Sequence, residues 1–287
     1  METGNILSHV INGEAIINKG VTVEAKPSTQ NIIGLMADGN KDPHPTRTTV
    51  WTEPLGYEAE NNGKLDLSNA TTSTAMYLDS SRGINKDEIA VGNKSTGIYG
   101  VYNDTTSIYS GAAAGTKNEG KIMTTASSKI TIGDESSAIY AIDFTKVENN
   151  GSIAGGDKSV GIYAKNTAAS SKVIDVVNEG NITLGKGSAG IYIAPETLNV
   201  SNATVVNSGN ITIGDSTFNH SGSVESTSVG IFVKNKTNLT TSGDITVGNH
   251  DATGIFLENG GNLNLTAGNL NVGDNSYGVV AIGNDSF

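Results

Sequence analysis

The sequence predicts an all-β chain: a single-stranded, right-handed parallel β-helix with about three short strands in each coil of ~22–24 residues. Three observations carry this. A three-residue phrase, Gly-Ile-Tyr or a close variant, returns along the chain. Short alternations of apolar and polar residues, broken by Gly and Asn, fill the space between copies. Gly, Asn, Ser and Thr dominate the rest, which disfavours helices and suits strands joined by turns.

The phrase stands at Gly97-Ile98-Tyr99, Ala138-Ile139-Tyr140, Gly161-Ile162-Tyr163 and Gly190-Ile191-Tyr192. It continues at Gly230-Ile231-Phe232, Gly254-Ile255-Phe256 and Gly278-Val279-Val280, with Ala75-Met76-Tyr77 as an earlier copy. A Ser sits two residues ahead at Ser73, Ser95, Ser136, Ser159, Ser188, Ser228 and Ser276. Successive copies are 22, 41, 23, 29, 40, 24 and 24 residues apart. The short gaps define the repeat, and the long ones are repeats carrying insertions.

The unit from Asn178 to Asn207 reads most clearly. Asn178-Glu179-Gly180 turns, Asn181–Leu184 alternates, and Gly185-Lys186-Gly187 turns again. Ser188–Ile193 forms a second strand, and after a bend near Pro195 a third alternation occupies Val200–Val206. Ile182, Leu184, Ile191 and Ile193 are the expected inward residues, each stabilising the coil by roughly 1.5–3 kcal/mol. Right-handed winding follows from the general preference of crossover connections.

An Asn stands two residues before a turn Gly at Asn18, Asn61, Asn118, Asn149, Asn178 and Asn207. Stacked at one strand spacing, these would hydrogen-bond along the axis as an asparagine ladder. Thr241 and Thr266 break that column, so the ladder is expected to end there. The Ser column is a candidate for the same behaviour. About twelve coils would make a rod on the order of 55 Å long.

If Ile191 and Ile193 face inward, Tyr192 faces outward. Tyr77, Tyr99, Tyr140, Tyr163, Tyr192, Phe232 and Phe256 then form an external stripe. Mutual stacking that braces one face is one reading, and a contact platform for sugar or protein is the other. A flipped register would bury the rings and expose Ile.

Residues 1–60 read as N-terminal coils or a cap with a Pro- and Trp-containing insertion, and 61–287 as regular coils with insertions near 100–128 and 216–227. Pro43, Pro45, Pro54, Trp51, His44 and Arg47 all lie within Lys41–Gly56. Pro blocks ladder pairing, so this is a loop, and loops on rigid scaffolds are where binding is placed. Trp51 with His44 and Arg47 could stack on a sugar or contact a partner; alternatively Trp51 seals the loop onto the rod. The later insertions look like plain surface excursions, with His220 solvated.

The balance of 18 basic against 29 acidic residues gives a net charge of −11, which disfavours nucleic acid and anionic membrane as partners. Cysteine is absent, removing disulfide and thiolate-metal chemistry. No apolar stretch reaches the ~18 residues that would span a bilayer. Met-Glu-Thr-Gly lacks the blocks of a signal peptide, so Met1 reads as a start codon added to an excised fragment.

No cofactor or metal is expected. His9, His44, His220 and His250 lack ligand spacing. The Gly-Asp pairs Gly133-Asp134, Gly156-Asp157, Gly214-Asp215 and Gly273-Asp274 are read as turns, because the calcium-binding nonapeptide is missing. A polysaccharide lyase or hydrolase is the enzymatic rival, but it needs clustered carboxylates with Arg or Lys. With only Arg47 and Arg82, and acids mostly in turns, nothing converges in sequence.

Asn178–Tyr192 (Asn-Glu-Gly-Asn-Ile-Thr-Leu-Gly…Ser-Ala-Gly-Ile-Tyr), with echoes at 149–163 and 207–232, resembles the passenger repeats of large fusobacterial type V autotransporter adhesins. The likeness covers most of residues 61–287. It implies an outer-membrane-anchored surface rod that attaches to host cells or other bacteria through a glycan or a receptor protein. The signal peptide and C-terminal barrel of that family are not in this sequence, so the expectation is a monomeric internal passenger segment, exported and not itself membrane-inserted. A passive stalk presenting a separate tip is the alternative.

Overall fold

The structure, a computed structural model, describes residues 4–11, 14–38, 58–102, 120–144, 146–167, 173–196, 203–218 and 223–283. Its elements are strands, as the Gly-, Asn- and Thr-rich sequence requires, and they wind into a right-handed parallel β-helix.

Three parallel sheets form the walls. The first has ten strands: Ile6–Ile11, Ile33–Asp38, Thr74–Asp79, Thr96–Val101, Ser137–Ile142, Val160–Lys165, Ala189–Ile193, Val229–Lys234, Thr253–Glu258 and Tyr277–Ile282. The second runs in nine strands from Glu14–Ile17 to Asn262–Leu265, and the third in nine from Thr22–Glu24 to Leu270–Val272. The chain visits first, second and third walls in turn, then pairs with the coil before.

Among the described residues this makes nine complete coils and one further strand. Nine steps of ~4.8 Å give a rod of ~43 Å, shorter than the twelve coils expected from sequence, because dividing chain length by repeat counts the insertions as coils. Two coils lie upstream of Ala75-Met76-Tyr77. In one of them Gly34-Leu35-Met36 holds the position of the phrase, with Leu35 opposite Met76 and Met36 opposite Tyr77. Met in place of the aromatic hid this copy. The N-terminal segment therefore belongs to the same sheets.

Columns form because parallel strands pair in register. Ile98, Ile139, Ile162, Ile191, Ile231 and Ile255 lie over one another, each fully buried. Ile182, Leu184, Ile191 and Ile193 are buried as expected. The Gly before Ile98, Ile162, Ile191, Ile231 and Ile255 is buried too. A Cβ on Gly161 would sit 2.5 Å from the carbonyl oxygen of Gly190 in the next coil. Ala75 and Ala138 show that a methyl is accommodated at this position in other coils.

The asparagine ladder exists with altered membership. Its column reads Ile17, Asn61, Asn85, Thr124, Asn149, Asn178, Asn207, Thr241, Leu265. Asn61 Nδ2 donates to Asn85 Oδ1 at 2.8 Å, and Asn149 and Asn178 donate to the next Asn Oδ1 at 2.7 Å. Thr124 Oγ1 donates to Asn149 Oδ1 at 2.7 Å, and Asn207 Nδ2 donates to Thr241 Oγ1 at 3.0 Å. Thr241 thus continues the ladder instead of breaking it, because a hydroxyl both donates and accepts. Asn18 is displaced by Ile17, Thr266 lies beyond the column position held by Leu265, and Asn118 falls outside the described residues.

Asn85, Asn149, Asn178 and Asn207 also donate to a carbonyl of their own turn, Asp87 at 3.0 Å, Gly151 at 3.0 Å, Gly180 at 2.9 Å and Gly209 at 3.0 Å, whereas Asn61 reaches the Glu88 carbonyl of the next coil at 3.0 Å. The Ser column is a second ladder. The amides of Ser73, Ser95, Ser136 and Ser159 donate to the hydroxyls of Ser95, Ser136, Ser159 and Ser188 at 3.0–3.3 Å.

Replacing Asn178 with Ala would strip one Asn149 Nδ2 hydrogen of its acceptor, the other still bonding Gly151, and would remove the donor to Asn207 Oδ1 and to the Gly180 carbonyl. At about 1–3 kcal/mol per orphaned group, the expected loss is roughly 2–5 kcal/mol. Thr240→Ala, on the outer side of the same wall, should stay within about 0.5 kcal/mol. Denaturant unfolding of the two variants checks this, and equal losses would mean the ladder carries no weight.

Candidate functional site

The outward face of the first wall carries the aromatic column. The alternation that buries Ile162 and Ala164 turns Tyr163 out, and register repeats this coil after coil. Ring centroids are separated by 5.3 Å for Tyr77–Tyr99, 5.4 Å for Tyr99–Tyr140, 4.5 Å for Tyr140–Tyr163 and 5.5 Å for Tyr163–Tyr192. Tyr192–Phe232 and Phe232–Phe256 follow at 4.3 and 5.4 Å. Interplanar angles run from 10° to 24°. The rings therefore lie face to face, presenting edges and hydroxyls to solvent. A sugar stacks on a ring face, and inside the column those faces are already covered by neighbouring rings.

Phe232 is buried while the tyrosines are half-buried. Partial burial holds the Tyr77, Tyr99, Tyr163 and Tyr192 hydroxyls above the ordinary tyrosine pKa. Ion pairs rim the C-terminal part of the column: Lys165–Glu196 at 3.1 Å and Lys234–Glu258 at 3.0 Å.

The longest stretches of sequence between described strands fall between a first-wall strand and the next second-wall strand. After Ile33–Asp38, Thr96–Val101, Val160–Lys165 and Ala189–Ile193 the chain rejoins the second wall at Glu58–Asn61, Lys121–Thr124, Asp175–Asn178 and Thr204–Asn207. Other coils turn the same corner tightly, as at Ser80-Ser81. Beneath it, Asp143 accepts the Thr167 amide at 2.7 Å and the Thr167 hydroxyl at 2.9 Å. The fully buried Phe144 ring lies where Gly100 leaves room; a Cβ there would come within 2.6 Å of it. Trp51, His44 and Arg47 lie outside the described residues, as does His220.

Two features were not visible in sequence. The insertion expected near 100–128 ends early, since Lys121–Thr124 is a regular second-wall strand. The insertion at 216–227 is no plain excursion: Thr217–Phe218 and Val224–Ser226 pair as an antiparallel ribbon. Ser226 Oγ donates to the Gly187 carbonyl at 2.8 Å, Lys158 Nζ donates to Glu225 at 2.7 Å, and Phe218 meets His250 edge-on at 5.5 Å. The ribbon thus fastens several coils together. Only Phe218 and Val224 within an otherwise polar stretch hinted at strands there.

Acids and bases do converge on the second wall. Glu14, Glu58, Arg82, Lys121, Lys146 and Asp175 stack in one outward column, and Glu60 and Glu148 stand in the next. Glu60 pairs with Lys86 at 2.8 Å, Arg82 with Glu58 at 3.8 Å, and Glu148 with both Lys146 at 2.6 Å and Lys121 at 3.2 Å. Burial raises the Glu58 carboxyl, whereas the Lys86 hydrogen bond lowers Glu60. An open groove lined by Asn18, Lys19, Asn62, Lys86, Asp87 and Ser127 runs beside them. Sequence spacing missed this because, Lys146–Glu148 apart, the partners are one coil apart.

The Gly-Asp pairs make turns whose carboxylates accept amides of the next coil: Asp134 from Asp157 at 2.9 Å, Asp157 from Lys186 at 2.7 Å, and Asp215 from Asn249 at 2.8 Å. Among the described residues no group of three or more His, Asp or Glu could hold a metal ion, and no helix is long and apolar enough to cross a membrane. Comparison with family models, curated proteins and solved structures finds no match to this chain.

Tyr163→Ala should cost roughly 1–3 kcal/mol through its two lost ring contacts, on top of lost burial, whereas Tyr163→Phe should be near neutral. Denaturation of the pair checks this. The raised hydroxyl pKa values also fix a pH dependence: folding favours the protonated phenol, so that stability is complete below the unfolded value near 10.0 and falls as pH rises through the folded values. Absorbance titration should show these phenols ionising later in the folded than in the unfolded chain; identical curves would contradict it.

Proposed function

We propose that this chain is a non-enzymatic passenger segment of an exported bacterial surface adhesin, working as a rigid rod whose corner excursions contact a glycan or receptor protein on host cells or other bacteria. The observation that supports this reading most is the shared corner. Four long connections leave the first wall and rejoin the second along one edge, beside the aromatic face. A rod of register-locked coils holds such segments at fixed intervals, which is what loops on a rigid scaffold need for recognition.

The aromatic column supports the rod in this reading. Its ring faces are used within the column, so Tyr99, Tyr140, Tyr163, Tyr192, Phe232 and Phe256 serve as an axial brace with polar edges outward. Recognition is assigned instead to the 39–57 segment, with Trp51 as stacking residue and His44 and Arg47 as polar partners. The Glu58–Arg82 and Glu60–Lys86 pairs are read as a surface charge ladder, each pair worth little on its own.

Competition decides it. The isolated chain should block attachment of cells displaying the parent adhesin, and Trp51→Ala should reduce that block about tenfold with unchanged melting, as loss of an aromatic hot spot does. A chain that folds but neither binds nor competes points to a passive stalk. Release of new reducing ends from a polysaccharide, abolished by Glu60→Gln, would replace the reading with an enzymatic one.

A further inference from the structure

Tyr77, Tyr99, Tyr140, Tyr163 and Tyr192 succeed one another in adjacent coils, their backbones paired residue to residue. Their ring centroids are 4.5–5.5 Å apart and their planes within 16° of parallel. All five are half-buried, so each ring keeps one edge in water. The chain has no cysteine, so no thiol competes for oxidants and no disulfide joins one coil to the next.

We propose that this column is an oxidative modification site at which neighbouring tyrosines are joined into dityrosine by hydrogen peroxide and a haem peroxidase, stapling successive coils covalently. Each phenol loses one electron and one proton to become a phenoxyl radical. Two radicals join through ring carbons ortho to oxygen, and the two displaced ring hydrogens return to the oxygens as the rings regain aromaticity. Two tyrosines thus give up two hydrogen atoms in all, and one peroxide is reduced to two waters.

The column favours this over random coupling because a radical there already has its partner one strand away. Elsewhere it must wait for a second molecule, a difference that effective concentration makes large. Rings must turn from face-to-face to edge-to-edge, which the two side-chain torsions and the open outer side allow. Tyr140–Tyr163, at 4.5 Å, is the expected first link. Tyr277 gauges simple accessibility: it is 52% exposed and has no ring neighbour in the column. The proposal stands apart from the adhesion reading.

The test treats the whole chain, dilute, with a haem peroxidase and hydrogen peroxide. Dityrosine fluorescence, intact mass and a peptide map are read. The expected product is a monomer lacking two hydrogens per link, with Tyr140 joined to Tyr163 foremost. The double variant Tyr99→Phe with Tyr163→Phe keeps every ring in the stack but leaves Tyr77, Tyr140 and Tyr192 without a tyrosine neighbour. Its intramolecular yield should fall roughly tenfold or more, with circular dichroism unchanged. Undiminished yield in that variant, links mapped chiefly to Tyr277 or Tyr102, or dimers without intramolecular links would overturn the proposal. The wild-type peptide map decides by itself if the variant does not fold.

Discussion

In-register hydrogen bonding between consecutive coils is the constraint on which everything else in this molecule rests. Parallel strands at one fixed spacing place like residues over like, so each position must be compatible with copies of itself above and below. An Ile satisfies that condition by packing, and the buried Ile98-to-Ile255 column is the result. A buried carboxylate does not, since like charges one strand apart repel. Asn does, because its amide carries a donor and an acceptor in one side chain. That is why neutral Asn, Ser and Thr fill most of the interior corners, with Asp38 and Asp143 the buried carboxylates among the described residues.

The same rule shapes the surface. Stacked aromatics gain from repetition, and the tyrosine column follows. Charges gain where opposite signs meet, as Glu58–Arg82 and Lys146–Asp175 do across neighbouring coils, and the like neighbours Lys121 and Lys146 share Glu148 from the adjacent column. At the turns, a carboxylate finds the amide of the next coil and is useful at every level, as with Asp134 and Asp157. A residue's environment is therefore its column, and residues one coil apart matter more than those adjacent in sequence.

Solenoids of this kind need no single closed core, since each coil is stabilised by its neighbours and the structure tolerates material inserted at the corners. The excursions after Asp38 and Val101 leave the walls on either side in register. The ribbon of Thr217–Phe218 and Val224–Ser226 goes further and ties its own coil to Gly187 and Lys158. Such ties oppose peeling of coils, which is the weakness of a structure held by neighbour contacts alone.

Much of this was written in local pattern. Alternation around Ile182, Leu184, Ile191 and Ile193 fixed which side chains point inward, because strand geometry has a period of two whatever the tertiary context. The recurring phrase fixed the coil, and the outward direction of Tyr192 followed. Column membership was less legible. Asn85 lacks the following Gly that marks its fellows, Thr124 and Thr241 substitute chemically without matching in letter, and Met36 replaces an aromatic. These are recognised only when coils are superposed, since hydrogen-bonding capacity, not residue identity, is what the column selects. The near-parallel stacking of the ring planes, where the charged partners meet and that Thr217–Phe218 and Val224–Ser226 pair against the rod were decided by tertiary structure alone, because each depends on distances between coils that no spacing along the chain encodes.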